Sequence, residues 1–347
     1  MKVINSIFIF SIALILTIIF FEALLSFCGM MIPIIKIDSN VGERYIPNKM
    51  CCSISVSEGF GLAKTNSEGW FGKKFVDNGL SDISIAVIGN SYVSSRQVFY
   101  RDNFLSISEE LTNKNLNKTI ASYFNFGRQA MPLTELLFIK EEISSIHNPD
   151  YILILLNAHS FNTTSRQVPY YKLMGDSLVL DSTFKESPML RTYRKLQIFS
   201  NSSVFFLGYR VKNKLPQLWK ILFDKFYPSE EEPEQNNDPI FSLSDVNKVI
   251  LEKLESDKKV IFLLDLDYDV SNKVKTITTQ SQIIDLRPTL LKMKTEQGID
   301  PNYWAIEKLP GHWNIPAHKV IGEEIANNMI KIINNNQITR HNEGFMP

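Results

Sequence analysis

Ile85-Ala86-Val87-Ile88-Gly89-Asn90-Ser91-Tyr92 is the stretch on which the fold turns. From Ile83 the chain is almost wholly apolar, and at Gly-Asn-Ser it changes character within one residue. A run that is apolar at successive positions, rather than alternate ones, suits a strand buried on both faces, as in a parallel sheet between helices. Gly89 ends the strand in a sharp turn. Such a turn exposes the Ser91 hydroxyl at the sheet edge and aims its backbone N–H into the same space. A serine there does chemistry only if a base takes its proton; without one, it is the kind of residue that caps a helix.

The same pattern repeats outward. Strands are predicted over 83–88, 120–126, 151–156, 259–266 and 283–285, and helices over 103–111, 133–146, 246–254 and 316–333. Apolar strands alternating with amphipathic helices predict an α/β domain with a parallel sheet covered on both faces. Its site is expected at the carboxyl ends of the strands. Between 163 and 244 the alternation loosens into a hairpin around Gly175-Asp176, an aromatic-rich helical stretch over 190–226, and an acidic run at 228–234. This segment reads as an insertion that caps or flanks the active edge, and the acidic run as a solvated loop.

The first 35 residues predict a membrane anchor. The run 7–21 is nearly all Ile, Leu, Phe and Ala, and apolar character continues to Ile35. That exceeds the roughly 20 helical residues needed to span a bilayer, and no clean small-x-small cleavage site follows. Lys2 precedes the helix while Lys36 and Arg44 follow it, so flanking charge does not orient it. The predicted organisation is an anchor over 1–35, a linker and lead-in region over 36–81, and a domain over 82–340 with the insertion at 163–244. Lys plus Arg number 37 and Asp plus Glu number 37. This zero net charge gives no electrostatic case for nucleic acid. The three cysteines, Cys28, Cys51 and Cys52, have no zinc-site or disulfide spacing.

Three further segments carry polar groups to the predicted edge. Asn125-Phe126-Gly127 ends the second strand, where glycine allows a backbone N–H to approach a ligand closely. Leu156-Asn157-Ala158-His159-Ser160 ends the third, and Asn157 or His159 could donate to an oxyanion. Pro310-Gly311-His312-Trp313-Asn314 precedes the last helix, and an imidazole there is the natural base for a hydroxyl near neutral pH.

In order and separation, these four segments resemble the SGNH/GDSL hydrolase superfamily over roughly residues 82 to 335. They are similar to its membrane-anchored bacterial members, including those that handle acyl groups on cell-surface polysaccharides. The resemblance implies a three-layer flavodoxin-like (SGNH hydrolase) fold with a parallel sheet, preceded by one N-terminal transmembrane helix. It implies Ser91 as nucleophile, His312 as base, and an oxyanion hole from Ser91, Gly127 and either Asn157 or His159. It also implies a serine esterase or O-acyltransferase acting on an acylated glycan or small ester, without metal or organic cofactor. The domain would then lie in the periplasm or outside the cell. Three positions depart from the pattern. Asn90 stands where the family has Asp beside the nucleophile. Matching the flanking residues puts His159 where the family offers an oxyanion Asn. Leu309 and Pro310 occupy the positions where it places the acid that orients the base. Losing that acid lowers turnover by about 10⁴ in serine hydrolases. Glu307 or Asp285 could substitute, or the site could work as a Ser–His dyad. The alternative is a catalytically inactive envelope protein that binds glycan or a protein partner.

Overall fold

The computed structural model describes residues 2–27, 35–38, 41–55, 59–75, 82–116, 119–161, 167–183, 243–304 and 309–343, together with 202, 204, 208 and 212. Helix α1 (Lys2–Phe27) opens the chain. Its span Ser6–Leu25 has mean hydropathy 2.7 over 20 residues. At 1.5 Å per residue it covers about 30 Å, the depth of a bilayer's hydrocarbon core. Among the described residues it is the one helix long and apolar enough to cross a membrane. Near its end, the Glu22 carboxylate accepts hydrogen bonds from Ser202 Oγ (2.8 Å) and the Val204 N–H (3.0 Å), tying the insertion to the end of α1.

Two antiparallel hairpins follow: β1 (Ile35–Asp38) with β2 (Gly42–Tyr45), and β3 (Met50–Ser55) with β4 (Gly59–Lys64). They lie in the predicted linker and lead-in region, whose strands the sequence reading did not resolve. These strands are short and rich in Gly, Ser and charge, so none carries a period-2 apolar pattern long enough to read. They close over Tyr45, Cys51, Ala63 and Phe71.

The central sheet is built from β5 (Ile83–Gly89), β6 (Ala121–Gly127), β7 (Tyr151–Asn157), and, after the hairpin β8 (Tyr170–Met174) and β9 (Ser177–Asp181), β10 (Val260–Asp265) and β11 (Gln282–Asp285). All its pairings are parallel, in the order β6-β5-β7-β10-β11. This is the flavodoxin-like order, with the first strand flanked by the second and third. Side chains alternate between two layers because successive strand residues point to opposite faces. Ala86, Ile88, Ile154, Leu156 and Phe262 face one core. It is shared with α4 (Leu133–His147), α5 (Asp245–Glu255) and α6 (Tyr268–Ile277). Ile85, Val87, Leu155, Ile261 and Leu263 face the other, covered by α3 (Phe104–Asn115), α7 (Arg287–Gln297) and α8 (Ile315–Glu343). The expected three-layer arrangement is therefore present. The succession of strands reverses at β5 and β7, and in open parallel sheets the carboxyl ends of the strands at such a reversal are where ligands bind. Between β11 and α8, the short strands β12 (Tyr303–Trp304) and β13 (Leu309–Pro310) pair antiparallel.

Two packing constraints close this edge. First, the one-turn helix α2 (Ser91–Ser94) lies directly on the end of β6. A Cβ on Gly127 would stand 2.1 Å from Ser94 N and 2.5 Å from Val93 C, both backbone atoms that cannot give way cheaply. Second, His318 in α8 is fully buried. Its Nδ1 accepts the Phe104 N–H at 3.3 Å, and its ring stacks on Phe104 at 5.7 Å. Burial, with a smaller contribution from His312, lowers its pKa from 6.5 to about 3, so the native ring is neutral.

Two outcomes are expected. Gly127→Ala destabilises the detergent-solubilised chain by about 1–3 kcal/mol in urea unfolding, the cost of overpacking. For His318, the folded pKa lies below the unfolded one, so its contribution is complete above pH 6.5. It is lost as pH falls toward 3, because the unfolded chain takes up the proton and the folded one does not. At roughly 1.4 kcal/mol per pH unit, wild type loses about 2 kcal/mol through this group between pH 7 and 5. His318→Asn removes that part of the slope; a parallel loss in both proteins would refute the assignment.

Candidate active site

The turn after β5 is built around Asn90. Its side-chain Oδ1 accepts the Tyr92 N–H at 3.1 Å, so Asn90, not Ser91, is the N-cap of α2. Ser91 is thereby released from capping and occupies the first helical position, where a backbone N–H has no intrahelical partner. Ser91 N–H makes no hydrogen bond among the described residues. The Ser91 hydroxyl is half-buried and lies 2.7 Å from His312 Nε2. A residue after the first sheet strand and one 221 positions later thus meet within hydrogen-bond distance.

Asn157, at the end of β7, is oriented by a short chain of bonds. A backbone N–H can only donate, so Tyr92 fixes the oxygen of Asn90 and leaves its Nδ2 to face Asn157. That Nδ2 donates to Asn157 Oδ1 at 2.7 Å. Ser160 Oγ accepts the Asn157 N–H at 3.1 Å and donates to the same Oδ1 at 3.3 Å. Asn157 Nδ2 is left as a donor with no partner among the described residues, on a side chain 4% exposed.

Two expectations for the oxyanion donors are corrected. The Gly127 N–H donates to Asn125 Oδ1 at 2.8 Å, and Asn125 Nδ2 donates to Val93 O at 2.9 Å. The glycine is needed for the close approach of α2, and its N–H is already committed. His159 is exposed in the 3₁₀ turn Ala158–Phe161, its ring 6.4 Å from that of Tyr92. It stands at the rim, while Asn157 occupies the buried position beside Asn90.

The His312 loop is pinned on both sides. Trp304 Nε1–H donates to the His312 carbonyl at 2.8 Å. Asn314 donates to the carbonyls of Asp300 (2.8 Å) and Tyr303 (2.9 Å) and accepts the Ala317 N–H (2.9 Å) at the start of α8. The Tyr92 ring, 4.7 Å from that of His312 and 4.9 Å from that of Trp313, fills the space beneath the imidazole.

Of the two carboxylates suggested as orienting acids, Asp285 ends β11, the edge strand of the sheet. Its oxygens are engaged by Lys275 Nζ (2.5 Å) and the Arg287 N–H (3.1 Å). Glu307 lies outside the described residues. Sequence reasoning missed Asn90 as the cap that orients Asn157, and the two indoles that hold the loop. The signal for Asn90 was present, since Asn directly before a short helical turn is a preferred N-cap.

No family model and no curated protein matches this chain. Solved structures do. The chain is similar to a lipolytic protein of the G-D-S-L family from Desulfitobacterium hafniense, at 11% identity and TM-score 0.34, covering 71% of this chain and 99% of that one. It is similar to an acetyl xylan esterase from Geobacillus stearothermophilus at 11% identity and TM-score 0.37, covering 71% and 95%. It is also similar to a psychrotrophic esterase from a Pseudoalteromonas species at 9% identity and TM-score 0.36, covering 73% and 100%.

Proposed function

We propose that this chain is a membrane-anchored serine hydrolase acting on ester bonds, with Ser91 as nucleophile and His312 as base. The observation that carries the reading is the 2.7 Å contact between Ser91 Oγ and His312 Nε2, at the crevice end of the sheet. Ser91 Oγ attacks the acyl carbonyl as its proton passes to His312 Nε2. The carbonyl oxygen gains the negative charge, and the Ser91 N–H and Asn157 Nδ2 are the donors free to hold it. The intermediate collapses, breaking the ester C–O bond, and the imidazolium returns the proton to the leaving alcohol. A second hydroxyl, deprotonated by His312, then attacks the acyl-serine; the Ser91 Oγ–acyl bond breaks, and the imidazolium returns the proton to Ser91 Oγ. Water as this acceptor gives hydrolysis, and a sugar hydroxyl gives transfer.

The substrate we infer is an acylated glycan of the cell surface, with the domain outside the cytoplasm. Support comes from the anchor and from the resemblance to polysaccharide-modifying members of the SGNH superfamily. A second reading, an inactive envelope protein that binds glycan or a protein partner, is favoured by the committed Gly127 N–H and by Leu309 and Pro310 where the family has an acid.

Fluorophosphonate labelling separates the two. Wild type in detergent is expected to label covalently and Ser91→Ala not at all, while His312→Ala slows hydrolysis of p-nitrophenyl acetate by about 10²–10⁴-fold. A folded wild type that neither labels nor hydrolyses acetyl esters rejects the enzyme in favour of the binding protein.

A further inference from the structure

Asp265 ends β10 directly beside Asn157, its register partner on β7. Its side chain is 11% exposed. One carboxylate oxygen accepts the Trp313 indole N–H at 3.2 Å, and Arg287 Nη1 stands 3.8 Å from the other. Arg287 Nη2 in turn binds Asp267 at 2.8 Å. Trp313 follows His312 in the chain and is fully buried. Its ring is held edge-on by Tyr92 at 4.9 Å, Phe104 at 5.8 Å and His318 at 6.1 Å. It can change orientation only if the indole bond to Asp265 and this packing are given up together.

We propose that Asp265 is a positioning residue for His312. By holding the Trp313 indole it fixes the backbone immediately C-terminal to His312, where Trp304 also holds the His312 carbonyl. These two anchors on adjoining residues set the backbone from which the imidazole is presented to Ser91. This rests on the hydrolase reading of the Ser91–His312 pair. A carboxylate suits the task because a charged acceptor binds an N–H more strongly than a neutral one. Burial raises the Asp265 pKa, with Arg287 and the indole acting against that rise. The carboxylate thus keeps an unfavourable location where the loop needs an acceptor. The consequence is kinetic, since a displacement of about 1 Å in a catalytic group can cost 10²-fold in rate.

The test compares full-length wild type, Asp265→Ala, Asp265→Asn, Trp313→Phe and the Asp265→Ala/Trp313→Phe double variant in p-nitrophenyl acetate hydrolysis. Asp265→Ala and Trp313→Phe are each expected to lower kcat by about 10–100-fold with KM within about twofold. The double variant is expected to be no worse than the weaker single, because both break one bond. Asp265→Asn retains an acceptor oxygen and recovers most of kcat. Wild-type kcat in Asp265→Ala, multiplicative losses in the double variant, or no recovery in Asp265→Asn each overturns the proposal. Should Asp265→Ala fail to fold, the Asn and Phe variants still decide. A wild type without Ser91-dependent turnover removes the hydrolase reading instead. The positioning is then read from the ¹⁵N signals of His312, which report its Nε2 contact with Ser91. Asp265→Ala must disturb them, and unchanged signals overturn the proposal.

Discussion

The side-chain amide of Asn90 spans the gap between β5 and β7, and chemistry alone decides which way round it lies. The Tyr92 backbone N–H cannot accept, so the Asn90 oxygen must face it. The nitrogen then faces Asn157 and demands an oxygen there. The site inherits its polarity from this one choice. Asn157 is left with its donor end open, and Ser91, freed from capping, presents both hydroxyl and N–H. The bonds are buried, Asn90 at 2% and Asn157 at 4% exposure. Reversing either amide would leave buried groups facing like partners, at about 1–3 kcal/mol for each unsatisfied group. The arrangement is thus held by its own cost of error.

Ser91 and His312 reach this point from opposite ends of the domain. Ser91 arrives on the first sheet strand and His312 on the loop before the last helix. A parallel sheet with the order β6-β5-β7-β10-β11 brings all its strand ends to one edge, so residues remote in sequence share a crevice without long detours. Among the described residues, the regular structure of the His312 loop is the two-residue pairing of β12 with β13. It gains rigidity from outside: an indole on the His312 carbonyl, the Asn314 side chain tying the loop to α8, and Trp313 sunk into the core. Large aromatic side chains suit this work. They bury much area with few torsions to freeze, and the indole N–H still makes a directed bond.

The sheet was legible because its strands are apolar at nearly every position, a pattern that survives without knowledge of partners. Ser91 and His312 were legible because each breaks an apolar or glycine-marked boundary. What could not be read was spatial neighbourhood. Asp285 looked like any other strand-end acid, and sequence does not reveal that its oxygens are taken by Lys275 and the Arg287 N–H. Asn157 and His159 are two residues apart, and sequence does not reveal that β7 ends between them in a 3₁₀ turn that lifts His159 outward. Gly127 was noticed for ligand approach, and in the structure its N–H is taken by Asn125. A glycine needed for ligand approach and one needed for helix approach are identical in sequence, and only the nearness of the Ser94 backbone separates them. The strands of 36–81 escaped notice because they are short and half polar.

The identity of residue 90 matters because the closest polar alternative, an aspartate, would reverse this arrangement. An aspartate would offer two acceptor oxygens and no donor. One could still take the Tyr92 N–H and cap α2. The other would draw Asn157 Nδ2 toward itself, turning the Asn157 oxygen toward the crevice and away from Ser160, whose hydroxyl donates to that oxygen. A fixed negative charge would also sit next to Ser91. Asparagine keeps the cap, inverts the amide at Asn157, and leaves the turn neutral. With asparagine at position 90 the turn beside Ser91 stays neutral, and the Asn157 Nδ2 is spared the competing acceptor that an aspartate would set against it.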